Sequence, residues 1–356
     1  MITLLGHQIT FVQIVYIIFG IGILVFVHEL GHFIFAKKYG KVEKFTLGFG
    51  PEIIGFTKNG TRYAICAIPL GGMTKMPGES IETSTGAEGE FYSLPWWKRL
   101  IIAVSGPAMN YILAIVLFTI VIYFWGLANP INEPIIGEVI ENKPAAKSGL
   151  QPGDIILSID DIKINTWEQM AEIIQKTVKK KLKFSIERNK NMLIIYIEPE
   201  FDPNRKVSII GIKPGMKIEK VSFIKSVDYG IRAVIFQSIF TVKYLLDKLL
   251  KWETPEVAGP IGVAKILAEA ARLGWDHMLN ILAVISVALG LFNLFPIPLV
   301  DGGHILFSII EGITKKHINK KFVEIANFVG LGLIILIFIF ATYSDLARLG
   351  LKLIKQ

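Results

Sequence analysis

The most constraining feature of this chain is an apolar segment that contains two histidines and a glutamate. The run Ile9–Val27 has no charged residue, and Phe33–Ala36 continues it beyond the sequence His28-Glu29-Leu30-Gly31-His32. A stretch of this length and character can cross a bilayer as a helix. Ionisable groups inside such a span are costly and mark functional sites. The segment therefore predicts a membrane helix that carries a reactive centre.

The spacing of these ionisable residues is that of a zinc-hydrolase motif. On a helix, His28 and His32 lie one turn apart on the same face, where both can bind one zinc ion. Glu29 lies between them and can act as general base on a water molecule. A chance occurrence is a weak alternative, because unbound histidine and glutamate would need buried partners in lipid. The motif predicts hydrolysis within the membrane.

Hydropathy places the chain among polytopic α-helical membrane proteins. Its mean hydropathy is +0.51, and 52% of its 356 residues are hydrophobic. Segments long enough to be transmembrane helices are Ile9–Ala36, Leu100–Trp125, Met278–Phe295 and Phe328–Tyr343. We expect the first of them to be an uncleaved anchor, because no basic region precedes it and it carries the candidate centre. The net charge of +8 does not indicate nucleic-acid binding, since the basic residues are dispersed rather than set beside aromatic side chains.

Basic residues in the loops predict the orientation in the membrane. Lys37, Lys38 and Lys98 lie between the first two predicted spans, and Lys315 and Lys316 lie between the last two. The positive-inside rule makes both loops cytoplasmic. Both termini and the region between spans two and three are then extracytoplasmic, and the reactive centre lies near the cytoplasmic side.

The remaining segments have distinct local patterns. After the first span, glycine turns separate four short predicted strands, which are too apolar for a solvated loop and predict a small β-sheet or hairpin at the membrane. These strands are Thr46–Gly50, Glu52–Phe56, Arg62–Ile68 and Met73–Met76. Residues 135–199 indicate a compact α+β unit with a helix at Trp167–Lys176. Apolar residues recur at helical spacing over Ser222–Trp252, which fits either a helix on the membrane surface or packing against the membrane core. The predicted regions are 1–40 (first span), 41–97 (β region), 98–128 (second span), 133–200 (α+β domain), 205–275 (amphipathic helices) and 276–356 (third and fourth spans).

A catalytic zinc needs a third protein ligand at membrane depth, and Asp301 is the candidate. Pro296 and Pro298 break the helix before it, and Gly302-Gly303 follow it. Irregular backbone at this depth is buried in protein or lines a wet cavity, and a carboxylate there needs a cation. Asp301 could also cap the helix that begins beside it. We favour zinc ligation, which is compatible with capping.

Asparagines in two of the predicted spans are further candidates. Asn293 and Asn110 could each donate a hydrogen bond to a substrate carbonyl or bond across helices. We favour substrate contact for Asn293 and a structural role for Asn110. Gly106 would permit close helix approach near Asn110. His304 is expected to point to a different face from Asp301 and to be a residue that supports the ligands or lies at the membrane interface, rather than a ligand.

Together these motifs resemble the site-2 protease family of intramembrane zinc metalloproteases, in particular the bacterial regulator-of-sigma-E protease type. His28-Glu29-Leu30-Gly31-His32 matches the first motif of that family, and the segment Asn293–Gly302 matches its second. The resemblance implies that His28, His32 and Asp301 bind Zn²⁺ and that Glu29 is catalytic.

The resemblance extends to the β region and the α+β domain. Gly48-Phe49-Gly50-Pro51 and Ile68–Met76, which includes Gly71 and Gly72, resemble the family's membrane-reentrant hairpin, thought to pair with an extended substrate. Ile135–Pro199 resembles a circularly permuted PDZ domain. Many relatives carry two such domains, and this chain has room for one.

The function implied by the resemblance is regulated intramembrane proteolysis in the bacterial cytoplasmic (inner) membrane. The implied partners are single-pass membrane proteins, such as anti-sigma factors or signal-peptide remnants, together with a peptide or substrate segment at the PDZ domain and the lipid bilayer. A non-catalytic PDZ scaffold and a metal transporter are the alternatives. The intact Glu29 argues against the scaffold, and the appended peptide-binding domain is unexpected in a transporter.

Overall fold

The computed structural model describes residues 2–4, 7–9, 11–79, 84–203, 205–255 and 258–354. The chain divides into two compact units. The first, here the membrane unit, comprises Met1–Ile122 and Ser222–Gln356, and the second, here the α+β unit, comprises Tyr123–Val221.

Helices dominate the membrane unit, and two short ones belong to the α+β unit. In chain order they are α1 (Phe11–Tyr39), α2 (Trp96–Trp125), α3 (Pro144–Lys147), α4 (Trp167–Lys176), α5 (Phe223–Leu250), α6 (Pro260–Leu273), α7 (Trp275–Asn293), α8 (Asp301–Thr314) and α9 (Lys320–Ile354).

The strands are short except for two. They are β1 (Ile2–Leu4), β2 (His7–Ile9), β3 (Lys44–Lys58), β4 (Thr61–Lys75), β5 (Leu127–Pro130), β6 (Ile136–Val139), β7 (Ile155–Ile159), β8 (Ile162–Lys163), β9 (Leu182–Arg188), β10 (Asn191–Ile197), β11 (Glu200–Asp202), β12 (Val207–Ile209), β13 (Ile212–Pro214) and β14 (Met216–Glu219).

Four helices of the described chain are long and apolar enough to cross a membrane. The candidate spans are Val15–Tyr39, Trp96–Trp125, Trp275–Asn293 and Lys321–Ala347. They confirm the predicted polytopic architecture with shifted bounds. The third predicted span ran on to Phe295, but α7 ends at Asn293 because a loop with two prolines follows it.

The membrane helices pack around one apolar core. Leu24 of α1, Leu117 of α2 and Leu282 of α7 are buried in it, together with Val234 of α5 and Leu267 of α6. The amphipathic segment predicted over Ser222–Trp252 is therefore one helix, α5, with part of its surface in this core. Much of its opposite surface is exposed and apolar, so neither interpretation of its pattern excludes the other.

The β region after α1 is a hairpin of two 15-residue strands rather than four short ones. The first residues of β3, Lys44–Leu47, pair both with Arg62–Ile65 and with Gly72–Lys75 of β4. Gly48, Gly50 and Gly71 have positive φ, which lets the strands bend where they would otherwise run straight. The hairpin packs on α1, so the end of β4 lies beside the helix that carries the first motif.

The α+β unit is built on an antiparallel sheet with strand order β10-β9-β7-β8. Phe184 of β9, Ile156 of β7 and Met170 of α4 are buried in its core. The helix predicted at Trp167–Lys176 has those bounds, and Thr166 caps it by accepting a hydrogen bond from the Gln169 amide. The antiparallel pair β5–β14 brings the two ends of the unit together.

Candidate metal centre

Three side chains from opposite ends of the membrane unit's sequence meet at one point. His28 and His32 lie on α1, and Asp301 is the first residue of α8. The two Nε2 atoms are 3.1 Å apart. Asp301 Oδ2 lies 3.1 Å from His28 Nε2, and Asp301 Oδ1 lies 3.2 Å from His32 Nε2. The side chains are only 12% (His28 and His32) and 19% (Asp301) exposed, so the group is enclosed.

Two glycines at the start of α8 let this helix pack tightly against the loop that precedes it, and this packing sets the position of Asp301. A Cβ on Gly302 would overlap the carbonyl of Phe295, and a Cβ on Gly303 would lie 2.7 Å from the carbonyl oxygen of Ile297. The Gly303 amide donates to the carbonyl of Val300. The first turn of α8 can therefore press against the loop that precedes it, which brings the carboxylate to α1.

The donor set and its geometry fit zinc. Two imidazole nitrogens and a carboxylate are the ligands of many catalytic zinc sites, whereas magnesium and calcium prefer oxygen alone. Ligands about 2.0–2.1 Å from a tetrahedral ion are about 3.3 Å from one another. The separations of 3.1–3.2 Å between the three side chains match that value. The three residues can thus hold one zinc ion and leave a position open.

Helix α2 fixes the far side of both imidazole rings. His32 Nδ1 donates to the carbonyl of Ile102 at 2.8 Å. His28 Nδ1 lies 3.1 Å from the side-chain amide of Asn110, which is fully buried. Gly106 lies between these two positions on α2, and a Cβ there would overlap His32 Nε2. The small residue lets α2 approach the histidines closely.

Glu29 lies where α1 meets β4. The Thr74 hydroxyl donates to the Glu29 carbonyl at 3.0 Å. A Cβ on Gly72 would lie 2.8 Å from Glu29 Cγ, so glycine at that position makes room for the carboxylate side chain. A cavity of about 310 Å³ borders Glu29, Gly72 and Thr74 together with the His28–His32–Asp301 group. The general-base candidate and the metal group therefore share one cavity.

The other predicted substrate-contacting residues occupy different places. Gly48 and Gly71 line a second, apolar groove of about 400 Å³ between α1 and the hairpin. Phe49 is half-exposed, and its ring covers the space that a Cβ on Gly71 would need. Gly50 has positive φ in the bend of β3. Asn293 is the last residue of α7, half-buried before the loop that leads to Asp301.

His304 was expected on a different face from Asp301, and that expectation is wrong. Residues three apart on a helix share a face, and His304 lines the same cavity as Asp301. Its ring meets that of Phe91 edge-on, 5.6 Å between centroids. His304 is thus near the centre without being one of the three converging ligands.

A buried ion pair that the sequence pattern did not reveal connects α2 to α8. Arg99, 2% exposed, donates to Glu311, 8% exposed. The ring of Tyr92 lies 5.3 Å from the Arg99 guanidinium carbon, and burial raises the pKa of Tyr92 to about 12, so the phenol stays neutral. Charge spacing along the sequence gives no signal for a pair so distant. The pair holds the helix that begins with Asp301 against the helix that supports both histidines.

Comparisons with known proteins match most of this chain. The profile described as Peptidase family M50 matches residues 16–337. A predicted zinc metalloprotease of Clostridium acetobutylicum is 33% identical over 340 residues, which are 94% of this chain and 98% of that protein. A probable protease named Eep, of Enterococcus faecalis, is 28% identical and covers 92% of this chain and 97% of its own.

One solved structure that overlaps this chain is the PDZ domain of an SdrC-like protein from Listeria innocua. It is 23% identical and covers 23% of this chain and 93% of its own, with a TM-score of 0.22. The order of strands and helices in the α+β unit is therefore the basis on which its fold is assigned below.

Proposed function

The chain belongs to peptidase family M50, and on that premise we propose that it is an intramembrane zinc metalloprotease that cleaves peptide bonds within or near transmembrane segments of other membrane proteins. The observation that carries the proposal is the convergence of His28, His32 and Asp301 beside Glu29 in one cavity. Family membership makes the chain a protease rather than a scaffold or a metal transporter.

The roles of the site residues follow from their positions. His28, His32 and Asp301 would hold the zinc ion. When bound, zinc supplies a Lewis acid that activates water and polarises the scissile carbonyl. The Glu29 carboxylate, which borders the same cavity, takes the proton of the attacking water and delivers it to the leaving nitrogen.

The end of β4 is a suitable guide for the substrate. A transmembrane helix must be unwound before its amides can be attacked, because its backbone groups are hydrogen-bonded to one another. A segment paired with Gly72–Thr74 would be extended, and its backbone would pass the metal group. The apolar groove lined by Gly48 and Gly71 would accept side chains from the adjoining, lipid-embedded part of the substrate. Asn293 and Phe49 are further proposed contacts.

We assign the α+β unit to the PDZ class and the protein to the bacterial cytoplasmic membrane, with the termini and this unit extracytoplasmic. The support is the strand order of the unit and the basic loops between spans. In a variant whose Cys66 is replaced by alanine, cysteines at Lys38 and Lys316 should be shielded from an impermeant thiol reagent in intact cells, and one at Lys190 should be labelled. Labelling in the reverse pattern would invert the orientation.

The function is tested with the purified protein in liposomes that contain a single-pass membrane substrate. Cleavage should stop after zinc removal by a chelator and return when zinc is restored. Asp301→Ala should lose both zinc and cleavage, because the cavity keeps only two ligands. Glu324→Gln, which changes a carboxylate on α9 outside the ligand group, should retain both. Full zinc occupancy and normal cleavage in Asp301→Ala would overturn the proposal.

A further inference from the structure

The side-chain amide of Asn110 is buried deep between helices and is only partly paired. Asn110 is 0% exposed, and its Oδ1 atom has no hydrogen-bond partner in the described chain. Its backbone carbonyl accepts from the Ser286 hydroxyl of α7 at 2.8 Å, which fixes this turn of α2. An unsatisfied buried amide is costly, so the residue needs a reason beyond packing.

The neighbour of this amide is one of the candidate metal ligands. His28 Nδ1 lies 3.1 Å from Asn110 Nδ2, and His28 Nε2 faces His32 and Asp301. A histidine binds metal through a nitrogen that carries no proton, so a neutral His28 must hold its proton on Nδ1. A proton on Nδ1 needs an acceptor opposite it. The two ends of an asparagine amide occupy nearly the same space, and only its oxygen is an acceptor.

His32 provides the comparison within the same centre. Its Nδ1 faces the carbonyl of Ile102, which can only accept, so the proton lies on Nδ1 and the lone pair on Nε2. Ile102 and Asn110 lie two turns apart on α2, and the two histidines lie one turn apart on α1. One helix therefore supports both rings, by a backbone carbonyl at one and by a side chain at the other.

We propose that Asn110 is a positioning residue for the metal centre: its Oδ1 accepts the Nδ1 proton of His28 and so directs the Nε2 lone pair to the zinc ion. The inference rests on the proposed function, because it assumes that the His28–His32–Asp301 group binds zinc. It replaces the substrate contact considered for Asn110 from sequence. Half a turn of the amide about the Cβ–Cγ bond presents the oxygen, which otherwise has no partner.

The test uses full-length protein in detergent and three substitutions. Asn110→Leu removes the acceptor at similar size, and Asn110→Asp offers only oxygens. Thr119→Val is the control, because Thr119 lies on the same helix and its buried hydroxyl is also unpartnered. Zinc affinity is measured by competition with a chelator, and the geometry is read from the visible absorption of the cobalt-substituted protein.

Removing a partner of a metal-bound histidine typically lowers affinity about 10- to 100-fold. We expect that loss in Asn110→Leu, with an altered cobalt spectrum, and affinity within about threefold of the parent in Asn110→Asp and Thr119→Val. Unchanged affinity in Asn110→Leu would overturn the inference, above all if the KM for substrate rose. An equal loss of zinc affinity in Asn110→Asp would overturn the inference as well. If Asn110→Leu does not fold, the zinc affinity of Asn110→Asp alone decides the test.

Zinc binding by the unsubstituted parent protein distinguishes a failure of this inference from a failure of the proposed function. If the parent binds no zinc, the proposed function fails. If the parent binds one zinc ion per chain and Asn110→Leu binds it equally well, only the role of Asn110 fails.

Discussion

The geometry of this centre depends on Gly106, because a residue with a Cβ atom would not fit at that position. Its Cα faces the Nε2 atom of His32, the atom proposed to bind the metal, and any Cβ would overlap it. Sequence analysis could identify Gly106 as a close-approach residue of α2. It could not identify what approaches, because the partner lies on another helix. The hydrogen bond from His32 to the carbonyl of Ile102 could not be predicted either, because every residue has a backbone carbonyl and the sequence does not indicate which one is used.

Gly106→Ala should therefore displace His32 and weaken zinc binding. Forcing a methyl group into a packed interior costs about 1–3 kcal/mol, and here the displaced atom is a proposed zinc ligand. We expect lower zinc occupancy together with a lower unfolding temperature, measured on purified protein with and without chelator. Gly332→Ala on α9 is the control, because a Cβ there meets nothing within 4 Å. Equal zinc affinity in both variants would show that α2 does not constrain the ring.

At the scale of elements, local patterns predicted the long helices well. The helix α4 has the predicted bounds, and the four apolar segments correspond to four candidate spans. The bounds of the helix α6 and of the short strands β11–β14 were not predicted, because their regions were assigned only a general type of structure. Such strands are defined by pairing with distant residues, as in β13 with β6, rather than by their own alternation of apolar and polar residues. The number of strands in the hairpin was misjudged for the same reason, because β3 and β4 bend at glycines without ending.

The ion pair between Arg99 and Glu311 gives a prediction for α8. Arg99→Met leaves Glu311 buried without its cation, which typically costs about 3–5 kcal/mol. The double variant Arg99→Met/Glu311→Met removes both charges and should recover at least half of the lost stability. Zinc occupancy should fall in the single variant and return in the double one, since α8 begins with Asp301.

Thermal unfolding and zinc content of the purified variants check this prediction. Arg232→Met, which breaks an exposed pair with Asp228 on α5, is the control and should change stability by less than about 1 kcal/mol. A double variant as unstable as the single one would mean that the pair is not what attaches α8 to α2.

At the scale of the whole molecule, the α+β unit and the proposed catalytic residues belong to different segments of the sequence. The metal group and Glu29 belong to the membrane unit. From its polarity, the sequence predicts a separate domain at residues 133–200, between the second and third spans, and the structure gathers Tyr123–Val221 into a compact unit of its own. The sequence could not predict which residues form the two ends of the unit, because these ends are defined by the pairing of β5 with β14, in which Pro130 lies opposite Met216.

That pairing suggests how to remove the unit with least disturbance. Deleting residues 131–215 and joining β5 to β14 through an Asn-Gly turn retains the antiparallel pair. If the unit limits access, the shortened protein should cut a substrate with a bulky extracytoplasmic domain faster than the full chain does, and an already trimmed substrate at the same rate. A folded, zinc-loaded deletion protein that cannot cut the trimmed substrate would show that the unit is needed for the reaction.

The central claim is that Glu29 performs proton transfer at a zinc centre formed by His28, His32 and Asp301, and Glu29→Gln tests it most directly. Glutamine keeps the size of the side chain beside Gly72 and loses its basicity. We predict one zinc ion per chain, as in the parent, and a cleavage rate lower by roughly 10²- to 10⁴-fold, the usual contribution of a general acid–base group. Cleavage at a rate close to that of the parent, with zinc bound, would contradict the account.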